Sequence, residues 1–145
     1  MRMTIPLPLR RSLMASVLIP VSLSFSASAA DFMVDAAQTS DPAHNIYTTL
    51  NDLASSGSLA AGDTVVLNND DASLTTSLTV PVNFRSDDPD MPCTVDLSGL
   101  RNNPMYNLAE GEYMLDMDSV IWANGNRGVI QAQGGDISLE ITGHV

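Results

Sequence analysis

The sequence predicts an all-β fold of the stacked, solenoid kind. In Leu78-Thr79-Val80-Pro81-Val82-Asn83-Phe84 every even position is apolar, and in Ile137-Ser138-Leu139-Glu140-Ile141 every odd one is. Each segment can therefore bury one face and wet the other. From Gly62 onwards such segments alternate with polar corners: Asn68-Asn69-Asp70-Asp71, residues 85–92, residues 98–103, Asn124-Gly125-Asn126 and Gly134-Gly135-Asp136. The apolar phase also slips by one residue. Tyr113, Leu115 and Met117 are odd, whereas Val120 and Trp122 are even. Both sets point inwards only if the chain bends near Ser119, as it would in passing from one sheet to the next.

Taken in order, the first element is a leader. Residues 1–30 hold no acid; Arg2, Arg10 and Arg11 precede an apolar stretch over residues 13–25, and Ala27-Ser28-Ala29-Ala30 supplies small residues. This is the pattern of a secretory signal peptide cleaved after Ala29 or Ala30. The apolar run falls short of the roughly 20 residues that span a bilayer. Residues 31–61 form a lead-in with a first edge strand around residues 32–34 and a short amphipathic helix over residues 46–54. Ile46, Leu50 and Leu53 recur at helical spacing, Asn45 stands at the N-cap position, and Ser55-Ser56-Gly57 ends the helix. Gly62-Asp63 then turns the chain into a strand at residues 64–67, and residues 62–145 make up the stacked strands. Pro81 cannot donate a ladder bond, so it belongs at a corner or on an imperfectly covered strand. Asparagines at corners suit stacked strands, because their amides can bond the neighbouring layer, and they also tolerate turn geometry.

Charge and cysteine usage exclude several functions. Beyond Ala30 only Arg85, Arg101 and Arg127 stand against all 17 acids, and the chain contains no lysine. Nucleic-acid binding needs clustered cations, which this chain lacks. The remaining length of about 115 residues suffices for one modest core. Cys93 is the sole cysteine, so no intrachain disulfide forms. The two histidines, His44 and His144, lie outside the strand-rich stretch that holds Cys93, which favours a buried structural thiol over a nucleophile.

The run through Gly62-Asp63-Thr64-Val65-Val66-Leu67, Thr94-Val95-Asp96-Leu97-Ser98-Gly99, Val120-Ile121-Trp122-Ala123-Asn124-Gly125 and Gly128-Val129-Ile130 resembles the opening of a right-handed parallel β-helix of the pectin-lyase-like type. More narrowly, it resembles the passenger start of bacterial autotransporters and polymorphic outer-membrane proteins. The resemblance covers roughly residues 45–142. It implies opening coils behind a short N-terminal capping helix, coils continuing beyond the chain end, and a place at the cell surface, associated with the outer membrane or outside the cell.

No residue set specifies chemistry: no catalytic, cofactor-binding or metal-binding residues are assigned, and no cofactor. Asp70-Asp71 and Asp87-Asp88 with Asp90 are acid pairs of the kind glycoside hydrolysis uses, yet adjacent acids in turns ordinarily face water. Calcium at residues 87–90 would match no established loop spacing. Met105, Met114 and Met117 read as core filler, and Trp122 as an inward packing residue. The expected function is a surface-associated or secreted β-helix segment for display or adhesion, without catalysis of its own. Its expected partner is a host or cell-surface ligand, not nucleic acid, and the mature segment is not expected to span the membrane. The alternative is the N-terminal part of a secreted carbohydrate-active β-helix enzyme, a polysaccharide lyase or glycoside hydrolase.

Overall fold

The computed structural model describes residues 28–68 and 71–143. The predicted leader falls almost wholly outside them, as do Asp70 and His144. Within the described residues the chain forms β1 (Asp31–Val34), β2 (Ile46–Tyr47), α1 (Leu50–Ser56), β3 (Thr64–Leu67), β4 (Asp71–Ser73), β5 (Asn83–Ser86), β6 (Cys93–Asp96), β7 (Tyr106–Leu108), β8 (Gly111–Asp118), β9 (Val120–Ala123), β10 (Ile130–Ala132) and β11 (Ile137–Thr142). The fold is all-β apart from α1 and two 3-10 turns. No helix among the described residues is long and apolar enough to cross a membrane.

The strands assemble into three sheets, ordered β11-β8-β5-β3-β1-β2, β4-β6-β9 and β10-β7. Every strand pair is parallel. Parallel neighbours cannot be joined by a tight hairpin, so the chain makes longer connections, and from β3 onwards it passes through one or both of the other sheets before it returns to the large one. The register then lines up like residues. Phe32, Val65, Phe84 and Met117 are successive partners across the large sheet, and all four are buried. Ala72, Val95 and Trp122 align in the second sheet, and Tyr106 stands beside Ile130 in the third. The inward faces meet in one apolar cluster that also takes in Leu74, Leu97, Leu100 and Met105. Burial of this kind, at about 25 cal/mol per Å² of apolar surface, is the main force holding the sheets together.

The bend predicted near Ser119 is present. Ser119 separates β8 from β9 with φ +55°, and its hydroxyl donates to the Pro89 carbonyl at 2.9 Å. This single left-handed residue lets odd positions before it and even positions after it face the same core. The corner asparagines also bond across layers. Asn68 Nδ2 donates to Asp35 Oδ2 (3.1 Å), and Asn124 Nδ2 donates to Asp96 Oδ1 (3.0 Å). Asn83 donates to the Gly62 carbonyl (3.1 Å) and accepts from the Asp116 amide (2.9 Å), so it ties three layers together.

Several expectations need correction. The helix spans Leu50–Ser56 rather than residues 46–54, and Thr49 rather than Asn45 caps it. Thr49 Oγ1 accepts from the Asp52 amide at 3.1 Å and donates to the Asp52 carboxylate at 2.7 Å. Ile46 and Tyr47 instead pair with β1, so pairing with a neighbouring strand overrides helical spacing there and β1 is not the edge of its sheet. Leu50 and Leu53 still enter the core, as α1 packs against β2 and β4.

Residues 78–84 keep the predicted burial pattern but not one continuous strand. Leu78 makes a single bridge to Tyr106, and the ladder resumes only at Asn83. Pro81 lies between, outside any strand, and its carbonyl accepts from Gly62 (3.0 Å). Met114 is not core filler: it is 70% exposed, because the even positions of β8 point outwards. In β11 the odd side chains share the face of Tyr113 and Leu115, yet Leu139 and Ile141 are 37% and 52% exposed. Only β8 lies beside this strand, so only half of an inward environment exists for them.

Candidate functional site

The acid pairs singled out in the sequence do not assemble a site. Asp87, Asp88 and Asp90 are exposed in the turn after β5, where Asp88 Oδ1 accepts the Asp90 amide at 3.0 Å and so shapes the turn. Asp70 and the side chain of Asp71 lie outside the described residues. Cys93 is buried, 3.3 Å from the Ser86 hydroxyl and 3.4 Å from the Leu67 carbonyl to which its thiol donates. Trp122 packs inwards, edge-on to Phe84 with centroids 5.0 Å apart and planes at 87°. Among the described residues no three His, Cys, Asp or Glu side chains gather into a metal-holding group.

Polar groups and the Arg85 guanidinium converge instead on the outer face of the large sheet. Parallel pairing places Met33, Val66 and Arg85 side by side on β1, β3 and β5, and the segment between β1 and β2 folds over them. The result is a groove of about 300 Å³ with Met33, Val66 and Ile46 on its apolar side and Arg85, Gln38 and His44 among its polar groups. Covered from outside, Val66 is only 2% exposed although it points away from the core. Arg85 Nη2 donates to Asp31 Oδ2 at 3.3 Å, and Asn45 Nδ2 donates to the Asp31 carbonyl at 3.3 Å. His44 Nδ1 lies 2.7 Å from Asp41 Oδ2. That hydrogen bond is the main reason the Asp41 carboxyl sits below its ordinary range. The Arg85–Asp31 ion pair and the His44–Asp41 hydrogen bond are both well exposed, so each contributes little to stability.

What the groove can do chemically is bind. Arg85 brings the five donors of a guanidinium to the groove, one of them given to Asp31. A histidine oriented by a carboxylate could serve as a base, but Ser40 and Thr48 bond each other's hydroxyls at 2.9 Å rather than the imidazole. An apolar floor with hydrogen-bonding groups at its rim suits a hydroxyl- or carboxyl-bearing ligand. Sequence reasoning missed this groove. Arg85 and His44 lie far apart in sequence, and only the register of β1, β3 and β5 and the fold-back of residues 35–46 bring them together.

A second concavity, of about 290 Å³, opens where β8, β9, β10 and β11 meet, lined by Met117, Val120, Trp122, Val129, Ile130 and Ile141. It is the outer end of the core rather than a polar site. Comparison of the chain with family models, with characterised proteins and with solved structures finds no match.

Proposed function

We propose that this chain forms the opening coils of a right-handed parallel β-helix, exported and displayed at the cell surface, where it serves adhesion rather than catalysis. The carrying observation is the register: strands in three sheets each pair in parallel with the strand of a neighbouring layer, and like side chains fall into columns. A right-handed path is the strong rule for parallel crossovers. The Asn68–Asp35 and Asn124–Asp96 bonds support the same reading, since they fasten corner to corner between layers. Helix α1, which sends Leu50 and Leu53 into the core beside β2 and β4, acts as the cap of the first coil.

Adhesion draws its support from the groove around Arg85. It offers a partner on the cell surface an apolar floor and a guanidinium, and the surrounding acids repel polyanions. The test combines location with binding. The protein is made in its producing cell, intact cells are treated with a protease, and loss of the full-length chain from the surface fraction is followed. Beads coated with the purified protein are then scored for attachment to cells and to immobilised glycans, with Arg85→Ala as the comparison. Surface accessibility together with attachment that falls in the variant is the expected result. Retention inside the cell, or attachment equal to that of uncoated beads, would sink the proposal.

A further inference from the structure

Asp63 is an acid that the groove does not use. It is 5% exposed at the turn into β3, and both of its carboxylate oxygens are engaged. Oδ2 accepts the Ala60 amide at 2.7 Å, closing the turn, and Oδ1 accepts the Ala30 nitrogen at 2.9 Å. The Ala30 carbonyl in turn accepts the Thr64 amide at 2.9 Å. Ala30 is thus fastened on both its backbone groups, and it is half-buried, whereas Ser28 and Ala29 before it are exposed. Two peptide bonds flank Ala30. They are not equivalent to the fold. Removing Ala30 would deprive buried Asp63 of a donor and Thr64 of its acceptor, and a buried carboxylate that loses a partner is costly.

We propose that export processing cuts between Ala29 and Ala30, and that the new α-ammonium group of Ala30 becomes the ionic partner of buried Asp63. The inference rests on the export reading above. The sequence admits this bond through Ala27-Ser28-Ala29 and the next one through Ser28-Ala29-Ala30, both small-x-small patterns, and the anchoring of Ala30 by Asp63 and Thr64 is what favours the first. A signal peptidase would supply the catalysis and water the co-reactant. The Ala29 carbonyl carbon gains the hydroxyl, the carbon–nitrogen bond breaks, and the Ala30 nitrogen takes a proton to become an amine, which a second proton from solvent makes an ammonium. A hydrogen bond charged only at its carboxylate acceptor thereby becomes one charged at both ends, at the same place. The neighbouring acid, Asp31, sends its carboxylate to Arg85 rather than to this nitrogen.

The absence of lysine makes the experiment clean, since the α-amine is then the only amine on the processed chain. Exported protein is purified, its N-terminus is read by intact mass and sequencing, and its labelling by an amine-reactive ester is followed against pH. The expected result is a chain starting at Ala30 whose amine labels about tenfold more slowly near neutral pH than that of Asp63→Asn, equivalent to a pKa raised by about one unit. Acetylation of the wild-type amine should lower the Tm and reductive methylation, which keeps the charge, should not; this reading does not depend on the variant folding. A start at Asp31 overturns the proposal and leaves the export reading intact, while retention of Met1 overturns both. A start at Ala30 with equal labelling in both proteins and no effect of acetylation overturns the ion pair.

Discussion

Phe84→Ala tests the column of inward side chains most directly. Phe84 is 1% exposed, its register partners are Val65 and Met117, and its ring meets Trp122 edge-on at 5.0 Å. Truncating a buried phenylalanine costs about 3–5 kcal/mol through lost transfer energy and the cavity left behind. Of this, about 0.5–1.5 kcal/mol belongs to the ring pair itself. Against a typical stability of about 5–15 kcal/mol, such a loss moves the denaturation midpoint far or unfolds the chain. Phe84→Leu keeps most of the apolar volume and removes the ring pair, so it should cost about 1–2 kcal/mol, between the pair term and a conservative core swap. Urea titration is the assay. Trp122 is the only tryptophan, so its fluorescence reports the contact itself, and circular dichroism replaces it in the double-mutant cycle with Trp122→Leu. A loss under about 1 kcal/mol for Phe84→Ala would contradict burial at this position. A coupling energy near zero in the cycle would contradict the edge-on pair.

The remaining predictions follow from register, close packing and charge. Leu115→Asp should be severely destabilising, because an unpaired carboxylate would be forced into a position 1% exposed, whereas Leu139→Asp, one strand further out and 37% exposed, should shift the midpoint far less; similar losses at the two sites would contradict the register. Gly143→Ala should detach the end of β11 from β8, since its Cβ would overlap the Met117 carbonyl at a φ of +130°, and faster hydrogen exchange of residues 137–142 would report it. Asp35 and Asp96 have carboxyl pKa values below the ordinary range, the first mainly through Gln38 and the second mainly through the Ser98 amide. A pKa depressed in the folded state gives stability that is present above the unfolded value near 3.9 and is lost as pH falls through the folded one, so the Tm should hold down to about pH 4 and drop below it. Asp35→Asn together with Asp96→Asn should flatten that drop, and an unchanged acid limb would refute the assignment. The thiol of Cys93 should resist a thiol reagent until the protein unfolds, so rapid labelling in native buffer would contradict its burial.

Alternation makes much of this fold legible from sequence. Val65, Leu67, Val82, Phe84, Val95, Leu115 and Met117 are buried as the two-residue period requires, and the slip in apolar phase at Ser119 coincides with the left-handed bend that the chain makes there. Periodicity fails where a neighbour from elsewhere in the chain decides the outcome. Ile46 fits a helical stripe, but β1 offers it a ladder, and the strand pairing wins. Met114 reads as core by residue type, whereas its phase, an even position on β8, places it outside. The three-residue strand β7 carries too little pattern to be seen alone. The groove is invisible in the sequence for a different reason, because its cation and its histidine become neighbours only through the stacking of non-consecutive strands.

The uniformly parallel pairing bears on how the chain reaches its native state. No strand pairs with its neighbour through a hairpin, so hardly any of the backbone ladder can form from a short local loop: Val65 waits for Phe84, and Phe84 for Met117 on β8. Loop closure must precede the reward from each contact, which places the chain among slow folders of high contact order, on the scale of roughly milliseconds to seconds. Among the described residues, helix α1, capped by Thr49 and ended by Gly57, the 3-10 turns and the antiparallel bridge between Asp41 and Ile46 are what can form early from nearby residues. A chain with this topology therefore passes an interval between synthesis and completion in which most of its strand edges are unpaired.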